Sequence, residues 1–240
     1  VADHGINIIR FPISTELLLS WMNGEPYKPV GLTASNDPYY MFNPDFCDEN
    51  GGTMDSMGIF DVLMKKCKKY GIKALIDIHS PASHNSGHNY NLWYYEPSAA
   101  DADNMAANSK TGEEITYDMW IESVTWLAEK YKNDDTIIAY DLKNEPHGKR
   151  GYNGNTCPIA KWDDSEDLNN WAFAATECGN SILDVNPNAL ILIEGVEQYP
   201  KTEKGYTYDT ADIWQASADV SPWYGAWWGG NLRGVKDYPI

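Results

Sequence analysis

The chain has 240 residues, of which 42% are apolar. That is enough for one large α/β domain or two small ones, and it excludes a disordered segment. The balance of 35 Asp and Glu against 18 Lys and Arg, net charge −17, repels phosphate backbones and argues against a nucleic-acid partner; no run approaches the roughly 18 apolar residues of a membrane span. In chain order, the first predicted element is a strand, "INIIRFPI" (6–13). A helix follows in "MDSMGIFDVLMKKCKKYG", where Phe60, Leu63, Met64 and Cys67 share one side and Gly71 stands where a helix-terminating glycine belongs. The second strand is "KALIDIHS" (73–80). The next helix, "YDMWIESVTWLAEKYK", aligns Trp120, Val124, Leu127 and Tyr131, and the third strand is "IIAYDLKN" (137–144). The last helix, in "SEDLNNWAFAATECGNSILDVNP", aligns Leu168, Trp171, Ala175, Cys178, Ile182 and Val185, with Asp164 or Ser165 as its cap and Pro187 as its stop. The fourth strand is "ALILIEG" (189–195). Each strand is a nearly continuous apolar run, the pattern of parallel strands buried on both faces.

The alternation predicts a parallel sheet with right-handed crossovers. Long segments follow the strands (14–53, 81–113, 146–163), whereas the segments before them, such as "YGIK" and "NDDT", are short. Long loops on the C-terminal side of every strand are the habit of a TIM barrel, which carries its active site on that face. A doubly wound sheet would offer a glycine-rich turn after its first strand, and neither GxGxxG nor GxxxxGK[ST] occurs here. A barrel needs eight strands in about 250 residues. Four strand runs therefore predict a (β/α)8 TIM barrel of class α/β that is incomplete in this chain, with about strands 2 to 5 present. Residues 1–240 are expected to form a single domain, truncated at both ends.

Polar residues close the apolar runs: Arg10 in the first, His79 in the second, Asn144 and Glu145 in the third, Glu194 in the fourth. Side chains that terminate parallel strands meet at one end of a barrel, so the set is a candidate site. The aromatic content of 10 Trp and 16 Tyr against 5 Phe suits a surface that stacks on sugars, although some of these rings must fill the core. "HSPASHNSGH" spaces His79, His84 and His88 like a zinc site, but no HExxH helix is present and Ser, Pro and Gly make the stretch a loop. The four cysteines, Cys47, Cys67, Cys157 and Cys178, contain no CxxC. They fit up to two disulfides of a secreted protein, with Cys67 and Cys178 equally readable as buried thiols.

The blocks "GINIIRFPIS", "IDIHS", "YDLKNEPHG", "LILIEGVE" and "WWGGNLRG" resemble the successive blocks of glycoside hydrolase family 5, in its endo-1,4-glucanase branch. The resemblance implies a retaining cellulase that needs no cofactor, binds no metal, and takes a β-glucan polysaccharide as its partner. It also implies a secreted, extracellular monomer without nucleic-acid or membrane partners. Glu145 matches the family's acid/base, which protonates the leaving oxygen and then deprotonates water. Asn144 matches the Asn that bonds the sugar 2-hydroxyl, Arg10 the Arg that keeps the nucleophile ionised, and His79 the His lining the cleft. Trp227 and Trp228 resemble a substrate platform. Trp93, His84 and Glu194 are placed among the substrate-binding residues. The family's nucleophile block is absent, so the second carboxylate is expected beyond Ile240. Glu194, on the strand next to that of Glu145, is the alternative nucleophile. A glycan-binding but inactive fragment, or a mannanase, lichenase or xylanase built on the same residues, is the competing reading.

Overall fold

The computed structural model of the protein describes residues 1–29, 44–83, 92–98, 106–147, 158–209, 221–225 and 227–232. Four parallel strands, β1 (Ile8–Ser14), β2 (Lys73–Ser80), β3 (Ile137–Asp141) and β4 (Leu190–Leu192), form a sheet in the order β1-β2-β3-β4. Helices α1 (Thr15–Met22) and α2 (Ser56–Lys69) lie between β1 and β2, α3 (Tyr117–Tyr131) between β2 and β3, and α4 (Trp171–Val185) between β3 and β4. Chain neighbours are sheet neighbours throughout, with helical crossovers, which is the arrangement of a run of βα units from an incomplete (β/α)8 barrel.

The helices begin where side-chain caps allow. Ser14 accepts from the Leu17 N–H, Asp55 from Gly58, Thr116 from Met119 and Asn170 from Ala172. Gly71, at φ 67°, takes the left-handed turn after α2 that the sequence predicts for it. The expected cap of α4 at Asp164 or Ser165 is incorrect. The Asn170 amide donates to the carbonyls of Asp163 and Ser165 while its Oδ1 caps the helix, so the chain reaches Asn170 before turning helical. Leu168, expected on the apolar stripe, is 45% exposed for that reason. Helix α1 occupies the start of segment 14–53, where the sequence predicts loop: Ser14 is both the last residue of β1 and the cap of α1, so no turn signal separates them.

Burial is nearly complete for β3; in β2 one face (Ala74, Ile76, Ile78, Ser80) is buried while Lys73, Leu75 and His79 on the other are half-buried, and the outer strands are more open still. Ile8, Arg10 and Pro12 expose one face of β1, and Leu190 of β4 is exposed as well; each of these two strands has a neighbour on one side only among the described residues. That position also tolerates Pro12, which has no N–H to give. The core between sheet and helices is aromatic. Trp93, Trp120 and Trp171 are almost fully buried, and Trp93 lies 4.7 Å from Trp171 and 6.1 Å from Trp120 between ring centroids. Cys47, Cys67 and Cys178 are free thiols, the latter two buried at their helix positions; Cys157 lies outside the described residues.

Candidate active site

The site grows from the ladder register. Asp77 of β2 pairs with Asp141 of β3, so two carboxylates face each other across adjacent strands, with side chains 0% and 7% exposed. Like charges opposed in this way repel unless a cation joins them. Arg10 supplies it. Its Nη1 lies 2.9 Å from Asp77 Oδ2 and its Nη2 2.8 Å from Asp141 Oδ2, and Nη2 also donates to Asn144 Oδ1 at 2.9 Å. Arg10 is not at the end of its strand as the sequence suggested. It sits inside β1, and its length carries the guanidinium up to the strand ends. Because β-strand side chains repeat every two residues, His79 stands on the same face as Asp77 and its Nδ1 is 2.9 Å from Asp77 Oδ2.

Strands β3 and β4 end earlier than expected, at Asp141 and Leu192. Asn144 and Glu145 therefore lie on a bend, and Glu194 on irregular backbone, just past the ladder. Glu145 has φ 46°, the one non-glycine residue with positive φ among the described residues. A residue before proline normally prefers extended backbone, so tertiary contacts hold this one. The Glu145 N–H donates to Glu194 Oε2 at 3.2 Å, and the Glu145 carbonyl is 2.8 Å from Nδ1 of buried His147. Lys143, 2% exposed, donates to the carbonyls of His79, at 3.3 Å, and of Asn144. Segment 194–197 is tied on every side. The Glu194 carbonyl accepts from Trp171 Nε1 at 2.8 Å, the Glu197 N–H donates to the Pro146 carbonyl at 2.9 Å, and the Gly195 N–H donates to the Trp228 carbonyl. A Cβ on Gly195 would come within 2.5 Å of that carbonyl oxygen, so only glycine permits the approach.

The electrostatics follow from burial. Burial lowers the pKa of Arg10, but the Asp141 hydrogen bond and the charges of Asp77, Asp141 and Glu194 outweigh it and hold the guanidinium above its ordinary value. Burial pushes Asp77 above the usual carboxylate range against the opposing effects of His79 and Arg10. Burial lowers Lys143 to about 8 and raises Glu194 to about 7, the latter helped by the charge of Asp141. The site thus holds carboxyl chemistry that titrates near neutrality beside a permanently charged guanidinium.

Arg10, His79, Asn144, Glu145 and Glu194 are brought together at one end of the sheet, Arg10 by the length of its side chain from inside β1. Trp93 is not part of the site. It is 1% exposed among other indoles, so no ring face is open to a sugar, and its assignment as a substrate contact is incorrect. Trp227 is half-buried and stacks on Tyr224 at 4.4 Å, with Tyr199 nearly parallel at 5.9 Å; Trp228 reaches the site through its backbone. His84 and His88 lie outside the described residues, and among those described no group of three His, Cys, Asp or Glu is arranged to hold a metal. Asp77, Asp141 and Lys143 escaped the sequence reading. The available signal was a charged residue at matching depth inside each apolar run.

The family model for "Cellulase (glycosyl hydrolase family 5)" matches residues 1–240. The chain is 60% identical over 243 residues to Endoglucanase G of Acetivibrio thermocellus, covering 100% of this chain and 41% of that protein. It is 43% identical to Endoglucanase B of the same organism, covering 100% and 37%. The chain thus spans about two fifths of the length of these curated relatives. Among solved structures, a variant of an endocellulase from Pyrococcus horikoshii in complex with cellotetraose aligns with TM-score 0.62 at 30% identity, covering 99% of this chain and 51% of that one.

Proposed function

The chain belongs to glycosyl hydrolase family 5, the cellulase family, and on that premise we propose that it carries the acid/base half of an endo-β-1,4-glucanase. The observation that supports this most is the convergence of Arg10, Asn144 and Glu145 at one end of the sheet, over the buried pair Asp77 and Asp141. In this reading Glu145 protonates the leaving glycosidic oxygen and later takes a proton from the attacking water, with net retention of configuration. Arg10 has donors only, so the Asn144 amide presents Oδ1 to it, and Nδ2 is the end that offers a hydrogen bond to the sugar 2-hydroxyl. His79, oriented by Asp77, lines the same end. Trp227 and Trp228 contribute aromatic surface beyond Glu194.

Glu194 is not the nucleophile in this reading. A nucleophilic carboxylate must be ionised when it attacks, and Glu194 is raised to about 7 and already accepts the Glu145 N–H. The attacking carboxylate falls outside the described residues. A polymeric glucan cannot enter a cell, so we place the enzyme outside it, acting as a monomer; among the described residues no helix is long and apolar enough to cross a membrane. Residues 1–240 are one catalytic-domain segment. The test is reducing-sugar release from carboxymethyl-cellulose by the full-length protein. Turnover that Glu145→Gln abolishes supports the reading, whereas glycan binding without turnover in the wild type favours an inactive binding module. Release from mannan or xylan in place of glucan would reassign the substrate.

A further inference from the structure

The peptide unit that joins Asn144 to Glu145 is held at both ends by opposite charges. Its carbonyl oxygen accepts from the buried Lys143 ammonium, and its N–H donates to the Glu194 carboxyl at 3.2 Å. The ammonium also holds the carbonyl at the end of β2, on His79, at 3.3 Å. A peptide dipole points from oxygen to hydrogen, so a cation at the oxygen and an anion at the hydrogen both favour the orientation seen. Rotating the plane by half a turn would set the carbonyl against the carboxylate and the N–H against the ammonium, turning two attractions into two repulsions. This plane sets the φ of Glu145, which at 46° opposes both its own side chain's preference and that imposed by Pro146.

We propose that Lys143 and Glu194 form a charged clamp on the Asn144–Glu145 peptide, positioning the Asn144 amide and the Glu145 carboxyl together for the reaction. The clamp rests on the glucanase reading for what it positions, but not for its existence. Both are positioning residues, since they act through backbone and touch no reacting atom. Glu194 is itself supported. The Glu194 carbonyl is fixed by Trp171 Nε1, and the next residue, Gly195, is tied to the Trp228 carbonyl. The charged and titratable groups around the clamp are Arg10 from β1, Asp77 and His79 from β2, Asp141 from β3, the Glu145 carboxyl itself, and His147, whose Nδ1 lies 2.8 Å from the Glu145 carbonyl and 3.8 Å from Glu197.

Two measurements on the full-length protein test it. The first needs no activity: the Glu145 amide proton, followed by NMR from pH 5 to 9, should move downfield as Glu194 ionises, and the movement should vanish in Glu194→Gln. An amide signal in the wild type that does not respond to pH in this way overturns the clamp. The second is kinetic. Glu194→Leu and Lys143→Met should each lower kcat on cellulosic glucan about 10- to 100-fold, the loss expected for a charge-assisted hydrogen bond. KM should change less than about 3-fold, since binding contacts remain. Losses on aryl glycosides with good leaving groups should be smaller, because those need no acid. Glu194→Gln keeps an acceptor for the N–H and should lose less than about 5-fold. A Gln variant as inactive as the Leu variant on every substrate overturns the positioning role and restores Glu194 as nucleophile. A wild-type protein that releases no sugar refutes the glucanase reading, while the amide titration still decides the clamp.

Discussion

Replacing Arg10 with Met keeps a long side chain and removes the cation shared by Asp77 and Asp141. Their side chains are 0% and 7% exposed, and each lies within 2.9 Å of the guanidinium. Breaking a buried pair by deleting one partner costs about 3–5 kcal/mol, because the remaining charge stays uncompensated. Arg10 itself is 40% exposed, so solvent already screens part of the attraction, and a loss of about 2–3 kcal/mol at pH 8 is the reasonable figure. The sign of its pH dependence follows from Asp77. Burial already raises this carboxyl above its ordinary value, so its protonated form is favoured by folding, and removing Arg10 raises it further. At low pH the variant's Asp77 carries a proton and the missing cation matters less there. As pH rises through its folded value, the variant is left with an unpaired charge on Asp77. Urea unfolding of wild type and Arg10→Met should therefore show a difference of about 1 kcal/mol or less at pH 5 that grows at pH 8. Adding Asp77→Asn should recover part of the loss. A difference that is the same at both pH values, or larger at pH 5, would refute the argument that Arg10 compensates buried carboxylates.

Glu145→Ala should reduce kcat/KM on natural glucan about 10²- to 10⁴-fold, the usual contribution of a positioned acid, and reduce it less on aryl glycosides with good leaving groups; equal losses on both would argue against the role. Trp93→Ala should destabilise the protein by about 3–5 kcal/mol, as expected for a large buried ring, seen as a lower urea midpoint. A variant of unchanged stability and raised KM would return Trp93 to the substrate. Glu194 has a folded value of about 7 against about 4.3 for a free Glu, so the native state binds more protons than the unfolded one between those values. Its contribution to stability is full below about 4.3 and is lost as pH rises through about 7. The stability of wild type relative to Glu194→Gln should therefore fall between pH 5 and pH 8, and a rise over that interval would contradict the burial argument.

Local pattern determined a good deal here. The apolar runs of β1 to β4, the core stripes of α2 and α3 and the turn at Gly71 follow from periodicity and backbone chemistry, which act within a few residues. The strand-end positions of His79, Asn144, Glu145 and Glu194 were legible for the same reason, since parallel strands must all finish on one face. What tertiary structure decided depends on registers between strands that no local pattern encodes. The facing of Asp77 and Asp141 is a register fact, and only with it does Arg10, inside β1, become the cation of the site. The fate of each indole is likewise set by what packs over it: Trp93 is buried in a cluster with Trp120 and Trp171, although the family resemblance placed it among the substrate-binding residues. Lys143, outwardly one more charge beside a catalytic block, became a buried ammonium on the Asn144 carbonyl, because the ends of β2 and β3 close over it.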